Sequence, residues 1–139
     1  VNRYGYLSDH SKHRFKLNGY FLLPYNFTLG IDSFYSSAYR WTPTENRVDD
    51  PTIPYGFRYA EPRGSGEGAT AYNTDLQASW ALDLRNTRIQ IIGTVYNVFS
   101  TEYVTQVCTA VSGCGGYETG EATAWTTPRR YEIGLRLEF

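Results

Sequence analysis

Two cysteines are the residues whose type and spacing point most directly to chemistry. Cys108 and Cys114 are the only cysteines of the chain, and Thr-Ala-Val-Ser-Gly separates them. Two thiols this close together in an exported protein favour a disulfide, which in so short a ring stabilises by about 2–3 kcal/mol. Metal binding needs more ligands than two thiols, and neither histidine is near in sequence. We therefore predict a disulfide that acts as a local clasp on a loop.

The other chemistry-bearing residues form no catalytic or metal-ligand pattern. His10 and His13 lie close to Asp9, and we interpret them as polar rim residues. No spaced run of oxygen ligands for calcium follows Asp49-Asp50. Gly64–Gly68 lacks the Gly-Lys-Ser/Thr ending of a phosphate loop, and no nucleophile has a histidine and a carboxylate at plausible spacing. The sequence predicts no enzyme, no cofactor and no metal site.

The most regular element is the last one, predicted as a strand over residues 128–139. Its apolar residues alternate with polar ones, so they line one face of an extended strand; they are Tyr131, Ile133, Leu135, Leu137 and Phe139. In an outer-membrane β-barrel one such face meets lipid and the other a polar lumen. An edge strand of a soluble sheet alternates too, but soluble chain ends usually fray. We interpret the five apolar residues as a barrel-closing strand and an assembly signal.

Four further segments show the same alternation and are predicted as strands. They cover residues 13–23, 27–41, 72–84 and 88–100. We expect their polar positions, with those of the last strand, to point into a hydrated lumen or against a plug; these are Arg14, Lys16, Asp32, Asp75, Gln77, Asp83, Arg130, Glu132 and Arg136. The fold class is therefore all-β, an antiparallel transmembrane β-barrel of which residues 1–139 form a C-terminal segment of about five strands.

The connections between these strands alternate in length. Breaks at 24–26 and 85–87 are short, whereas 42–71 and 101–127 are long and show no strand pattern. Outer-membrane barrels have tight periplasmic turns and long extracellular loops. Since the smallest barrels use about eight strands and open edges in lipid are costly, we expect the remaining strands upstream or in another chain. The chain also lacks Met, which favours a fragment of a longer protein.

Composition excludes some classes of function. With 13 basic and 14 acidic residues the chain has no basic field for nucleic acid. The mean hydropathy of -0.46 and the lack of a long apolar run exclude spanning helices, but barrel strands are only half apolar.

Aromatic residues make up 17% of the chain, and Tyr and Trp suit a membrane interface. Tyr55, Phe57 and Tyr59 lie in the first long loop, where an extracellular contact surface and simple loop packing both remain open. Four aromatic residues near strand ends are interpreted as an interfacial girdle: Tyr39, Trp41, Tyr72 and Trp125.

Three segments resemble the C-terminal end of TonB-dependent outer-membrane receptors, in particular the Oar-like group, whose N-terminus resembles a carboxypeptidase regulatory domain. His13–Tyr20 followed by Leu23-Pro24 resembles a strand and turn of that group. Asn97-Val98-Phe99-Ser100 resembles the penultimate-strand signature of the receptors, and Thr127–Phe139 resembles their last strand. The three segments cover most of the predicted strand residues and little of the two long loops.

The resemblance implies a 22-stranded barrel with an N-terminal plug in the bacterial outer membrane. It also implies a periplasmic energy-transducing partner, recognition by the barrel-assembly machinery, and uptake of a bulky nutrient. Two alternatives stay open at this stage: an outer-membrane scaffold barrel that holds a surface assembly without transport, and a soluble β-sandwich binding module.

Overall fold

The computed structural model describes residues 4–46 and 56–139, and its regular elements are all strands. The strands are β1 (Arg14–Leu23), β2 (Phe27–Ser36), β3 (Arg40–Trp41), β4 (Thr44–Asn46), β5 (Phe57–Tyr59), β6 (Gly66–Glu67), β7 (Ala71–Leu84), β8 (Thr87–Tyr96), β9 (Val104–Val107), β10 (Ala122–Trp125) and β11 (Arg130–Glu138). Within the described part of the chain, no helix has the length and apolar character needed to cross a membrane.

The five long strands form one antiparallel sheet in the order β1-β2-β7-β8-β11. The chain divides into two compact units. We call residues 15–35, 72–101 and 127–139 the sheet unit, because they contain this sheet. We call residues 1–14, 36–71 and 102–126 the loop unit, because they contain the two long connections. The predicted all-β, antiparallel class is confirmed; the sheet is open, with β1 and β11 at its edges.

Register explains why the sheet has two chemically different faces. Opposite partners in neighbouring antiparallel strands point to the same side, and Leu135 pairs with Ile91, which in turn pairs with Trp80. Three positions along, Glu132 pairs with Thr94 and Thr94 with Gln77. At these positions apolar meets apolar and polar meets polar across three strands, whereas Ile92 stands with Ser79 and Gly134 on the polar side. We call these sides the apolar face and the polar face.

The tight turn between β1 and β2 is encoded by its residues. Tyr25 and Asn26 both have positive φ, 64° and 62°. Positive φ at consecutive residues is typical of tight hairpin turns, whose twist matches that of the flanking strands. Asparagine tolerates this conformation well, so the register of the first hairpin is set locally.

Two strands end several residues before the sequence prediction, and the last strand is slightly shorter than predicted. The second strand ends at Ser36 and not at Trp41, because Arg40–Trp41 forms a separate strand that pairs with Gly66–Glu67. The fourth ends at Tyr96 and not at Ser100, because Asn97 adopts φ of 52°, which no strand accommodates. The last strand covers Arg130–Glu138 within the predicted 128–139.

The two long connections, predicted to be without strands, contain short ones. In the first, β4 pairs with β5, and β6 pairs with β3, which lies in the predicted second strand; in the second, β10 pairs with β9. Each of these strands has two to four residues. Strands this short show no visible alternation of polar and apolar residues. Their pairing with a distant segment cannot be predicted from either segment alone.

Candidate functional site

The apolar face of the sheet unit is its most unusual surface, since its large side chains are exposed. Ile133 is 84% exposed and Leu135 is 65% exposed. The other exposed apolar side chains on this face are Phe15, Leu17, Phe21, Leu23, Phe27, Leu29, Tyr35, Tyr72, Leu76, Leu82, Leu84, Ile91, Tyr131 and Leu137. No charged side chain stands on this face within the five strands. A contiguous apolar patch of this extent marks a binding surface for protein or membrane.

Aromatic rings pair across neighbouring strands on the same face. The centroids of Phe15 and Tyr35 lie 6.2 Å apart, and those of Phe27 and Trp80 lie 6.1 Å apart. These distances are typical of favourable aromatic pairs. The pairs connect β1 to β2 and β2 to β7, so they fix the lateral order of the strands as well as their exposed surface.

The polar face is concave and forms a groove of about 850 Å³. Four strands contribute its polar lining, which comprises Asn18, Tyr20, Asp32, Asp75, Gln77, Thr94 and Tyr96. Gly19, Gly30, Ile31 and Leu76 complete the lining, so the groove offers both polar and apolar surface. The sheet is therefore concave on its polar side.

Side chains on the polar face bond to one another across the strands. The Asn18 amide donates to the Asp32 carboxylate, and the Gln77 amide donates to the Thr94 hydroxyl over 3.3 Å. The Arg130 guanidinium lies 4.2 Å from the centroid of Tyr96, close enough for a cation–π contact. The expected lumen-facing residues of the central strands are thus brought together on one surface.

Asn97 is a buried polar residue directly after β8, and only 5% of it is exposed. Its side-chain oxygen accepts from the Thr101 N–H over 2.8 Å. Its side-chain nitrogen donates to the carbonyl oxygens of Thr101 and Thr127, over 3.0 and 3.1 Å. Its own N–H donates to the Asp75 carboxylate over 2.8 Å. The asparagine therefore joins β7, the end of β8 and the segment that enters β11.

Thr101 completes this arrangement, which we call the Asn97 clamp. Its hydroxyl donates to the carbonyl oxygen of Tyr72 in β7 over 2.9 Å, and the Arg129 guanidinium lies 3.5 Å from the Asn97 carbonyl oxygen. The clamp gives Asn97 a structural role where β7, the end of β8 and the segment entering β11 meet. Sequence reasoning placed Asn97 inside a strand, although asparagine near Ser and Thr is a signal for a left-handed turn.

In the loop unit, Cys108 and Cys114 form the predicted disulfide, with their Cα atoms 5.7 Å apart. Cys108 is 1% exposed. The ring that they close binds β4 through main-chain hydrogen bonds: Thr44 N–H donates to the Thr109 carbonyl oxygen over 2.7 Å, and Val111 N–H donates to the Thr44 carbonyl oxygen over 2.9 Å. The ring is more than a local clasp, because it joins the two long connections.

Glycines and aromatic rings face one another in the loop unit at a two-residue period. A Cβ built on Gly66 would lie 2.3 Å from the Trp41 ring, and one on Gly68 would lie 2.3 Å from the Tyr39 ring. A Cβ on Gly64 would lie 2.7 Å from Cβ of Tyr6. Real Cβ atoms do not approach this closely. The Gly64–Gly68 segment is thus a flat strip on which aromatic side chains pack, and Tyr39 and Trp41 pack there rather than in the predicted girdle.

Burial leaves the polar tips of these two rings without partners. Neither the Tyr39 hydroxyl nor Trp41 Nε1 has a hydrogen-bond partner among the described residues. Burial raises the pKa of Tyr39 above its ordinary value of 10.0, and the negative charge of Asp9 raises it further. Burial also raises the pKa of Tyr103. Both phenols therefore stay neutral over the physiological range.

The structure describes two of the three aromatic residues proposed as an extracellular contact surface. Tyr55 lies outside the described residues. Phe57 pairs with Asn46 in the β4–β5 ladder. Tyr59 is half-buried, and the Arg63 guanidinium lies 5.0 Å from its ring centroid. Trp125, in β10, is 58% exposed.

The two histidines contact different residues. The His10 ring stacks on Tyr6 with 5.0 Å between centroids, and the His13 N–H donates to the Ser37 hydroxyl over 3.1 Å. Asp49-Asp50 lies outside the described residues. Across residues 4–46 and 56–139, no three His, Cys, Asp or Glu side chains converge to hold a metal ion.

The chain was compared with known protein families, with curated proteins and with solved structures, and none of them matches it. The functional argument therefore rests on the two faces of the sheet, the Asn97 clamp and the loop unit.

Proposed function

We propose that this chain forms five adjacent strands of a bacterial outer-membrane β-barrel, and that the barrel is a TonB-dependent, Oar-like receptor for uptake of a bulky nutrient. In this proposal the apolar face contacts lipid and the polar face lines the lumen. The receptor would be energised by a periplasmic energy-transducing protein, and its folding would depend on the barrel-assembly machinery.

One observation carries the membrane part of the proposal: the apolar face is exposed and uncharged, while the opposite face is polar and concave. A soluble sandwich buries its apolar face against a second sheet. In water the exposed face described above would cost about 25 cal/mol per Å² of apolar area, whereas a bilayer removes that cost. The curvature toward the polar side supports a lumen rather than a lipid contact there.

The open edges support a larger barrel. β1 and β11 lie at the edges of the sheet, and each presents one row of backbone groups to a further strand. In lipid each unpaired group costs several kcal/mol, so strands on both sides must complete the ring. The family assignment rests on the three sequence resemblances, of which the Asn97–Ser100 signature now has a structural role in joining consecutive strands.

The test is made on the native protein in a detergent-solubilised outer-membrane fraction. We expect an intact mass several times 15.9 kDa, heat-dependent mobility in gel electrophoresis typical of a closed barrel, and upstream peptides with a plug and an energising box. A barrel without plug and box would favour the scaffold function. A protein that stays soluble without detergent would overturn the membrane proposal and favour a soluble binding module.

A further inference from the structure

The groove on the polar face of the sheet unit has a gap in its floor at Gly30. The side chains of Asn18 and Asp32 bond across β1 and β2. Two residues further toward the turn, Tyr20 and Gly30 therefore fall opposite each other. A Cβ built on Gly30 would have its three nearest atoms all in Gln77, at 3.6 to 4.0 Å. The Tyr20 ring thus does not cover this glycine, and Tyr20 is 72% exposed.

Neither packing nor backbone conformation requires a glycine at position 30. A distance of 3.6 Å is ordinary contact for a Cβ, and Gly30 does not have positive φ. Phe27 lies against Trp80 before it, and Ser33 lies against Thr74 after it. The two pairs are six residues apart in either strand, so no bulge intervenes. Glycine inside a strand marks a bulge, a bend or the close approach of another group, which leaves a bend or a ligand.

The polar groups around this gap keep hydrogen-bonding capacity. Asp32 accepts from the Asn18 amide, and Asp75 accepts from the Asn73 amide over 2.8 Å. Since an ionised carboxylate has about four acceptor sites, both keep sites for hydroxyl donors. An amide has two N–H donors and a carbonyl oxygen, and Gln77 donates one N–H to its neighbour in β8. The gap is thus bordered by groups that can both donate and accept.

Charge, size and lining narrow the class of ligand. The carboxylates of Asp32 and Asp75 disfavour an anion, and the Arg130 guanidinium, 4.2 Å from the Tyr96 ring, disfavours a simple cation. The volume of about 850 Å³ lies within the usual range of ligand pockets, about 300–1,000 Å³. A sugar matches a lining that is both polar and apolar. Its ring has a flat C–H face that stacks on aromatic rings, and its hydroxyls donate and accept hydrogen bonds.

We infer that the groove binds a neutral oligosaccharide, with one sugar ring against the exposed Tyr20 ring and over Gly30. The amides and carboxylates around the gap bind its hydroxyls. This inference rests on the proposed function and deepens it, because it names the class of substrate that the receptor takes up.

Calorimetric titration of the full-length protein in detergent tests the inference. The probes are maltohexaose, cellohexaose, xylohexaose and mannohexaose, with spermidine as the cationic control and citrate as the anionic control. At least one of the oligosaccharides is expected to bind, and neither ion is. Heat-dependent mobility in gel electrophoresis is measured on every sample, so that the barrel is checked independently of binding.

Gly30→Val and Gly134→Val form a matched pair of variants. Both glycines lie inside strands on the polar face, and the nearest atom to an added Cβ is 3.6 Å away at Gly30 and 3.9 Å away at Gly134. Of the two, Gly30 alone lines the groove. Gly30→Val should weaken binding by about tenfold or more, because the valine fills the space of the sugar ring. Gly134→Val should leave binding unchanged, and equal affinity in the two variants would overturn the inference.

Tyr20 provides a second pair, which decides the question even where Gly30→Val does not fold because the glycine serves a bend. Tyr20→Ala should weaken binding by about tenfold or more, since it removes the stacking surface. Tyr20→Phe should bind as the unaltered protein does, because stacking needs the ring and not the hydroxyl. Equal losses in both variants, or a loss in neither, would contradict the stacking role.

The outcomes separate the sugar site from the proposed function. A heat-modifiable barrel that binds none of the oligosaccharides would overturn the inference and leave the proposed function standing. Binding of spermidine that is lost in Gly30→Val would overturn it in favour of a cation site. A protein that stays soluble without detergent would overturn the proposed function, and binding that depends on Gly30 in that protein would retain the sugar site in a soluble binding module.

Discussion

The sheet unit and the loop unit of this chain are determined by different kinds of sequence feature. In the sheet unit the side-chain pattern repeats every second residue, and large apolar side chains such as Ile133 remain exposed. In the loop unit the determining contacts join residues far apart in sequence, such as Trp41 with Gly66 and Thr44 with Thr109. Each unit also contains buried residues, among them Ala81 and Asn97 in the sheet unit and Thr42 and Cys108 in the loop unit.

The largest effect is expected from a charge on the apolar face. Under the proposed function, Leu135→Arg should cost about 2–4 kcal/mol, because it places a charge on the face that is proposed to contact lipid. The yield of folded, heat-modifiable protein in the outer membrane measures the effect. Glu132→Gln on the polar face of the same strand is the control, and should leave the yield unchanged because an amide still accepts from the Tyr96 hydroxyl. Equal effects of the two changes would contradict the assignment of faces.

The Asn97 clamp should be nearly as sensitive. Asn97→Ala removes the side-chain hydrogen bonds to Thr101 and Thr127 and places alanine at positive φ, for a loss of about 2–3 kcal/mol. The thermal midpoint in detergent measures it. Asn86→Ala, in the exposed turn before β8, should change the midpoint little. Asn97→Gly keeps the backbone conformation accessible, so a loss in this variant isolates the contribution of the side chain.

Removal of the disulfide should affect the loop unit and spare the sheet unit. A double Cys108→Ser, Cys114→Ser variant is expected to lose about 2–3 kcal/mol of local stability by the chain-entropy argument. Amide hydrogen exchange should quicken at Thr44 and Val111, whose N–H groups join the ring to β4. Exchange at Ile133 and Leu135 in β11 should stay the same. Faster exchange in β11 would show that the two units are not independent in stability.

The glycine strip should tolerate no side chain. Gly66→Ala places a Cβ against the Trp41 ring, and overpacking of this kind costs about 1–3 kcal/mol. Limited proteolysis of the first long connection should become faster in this variant. Ser65→Ala, at the exposed position between Gly64 and Gly66, is the control. Unchanged proteolysis in Gly66→Ala would mean that Trp41 moves aside at no cost.

The smallest effect concerns the Tyr39 phenol at high pH. Because burial and then Asp9 raise its pKa above 10.0, the neutral form is favoured in the folded state over the unfolded state. Its contribution to stability is complete below pH 10.0 and is lost as the pH rises through the raised folded value. Tyr39→Phe should therefore unfold less steeply with pH above this point, as followed by near-ultraviolet circular dichroism. Identical pH profiles would place the phenol in water.

The long strands could be predicted because alternation is a local property, visible in any window of residues such as 130–138. The short turn at 24–26 was also placed correctly, because its residues are local breaker signals. The short strands could not be predicted from sequence. A pair such as Arg40–Trp41 with Gly66–Glu67 forms strands only when the two distant segments lie side by side. The glycine strip was readable in part: glycines at 64, 66 and 68 have the period of a strand.

The candidate sites also divide into features that a local stretch of sequence predicts and features that depend on distant segments. The Cys108–Cys114 pairing followed from a spacing of six, but its attachment to Thr44 depends on a segment 64 residues earlier than Cys108. Asn97 was read as a strand residue because the apolar alternation of β8 continues past it to Phe99. A local hydrogen-bonding preference outweighed the hydrophobic pattern at this position. The loop aromatics were harder still, since Tyr39 and Trp41 turn inward on glycines whose distance in sequence gives no warning.

The attachment of the disulfide ring to Thr44 has a consequence for how such a protein can diversify. Surface loops ordinarily exchange between homologues one at a time, since they tolerate insertion and replacement well. Here residues 37–70 and 102–126 share main-chain bonds through the ring, so a graft of either one alone would lose its docking partner. The two connections therefore form a single structural unit, and recombination that preserves the contacts between them has to carry both.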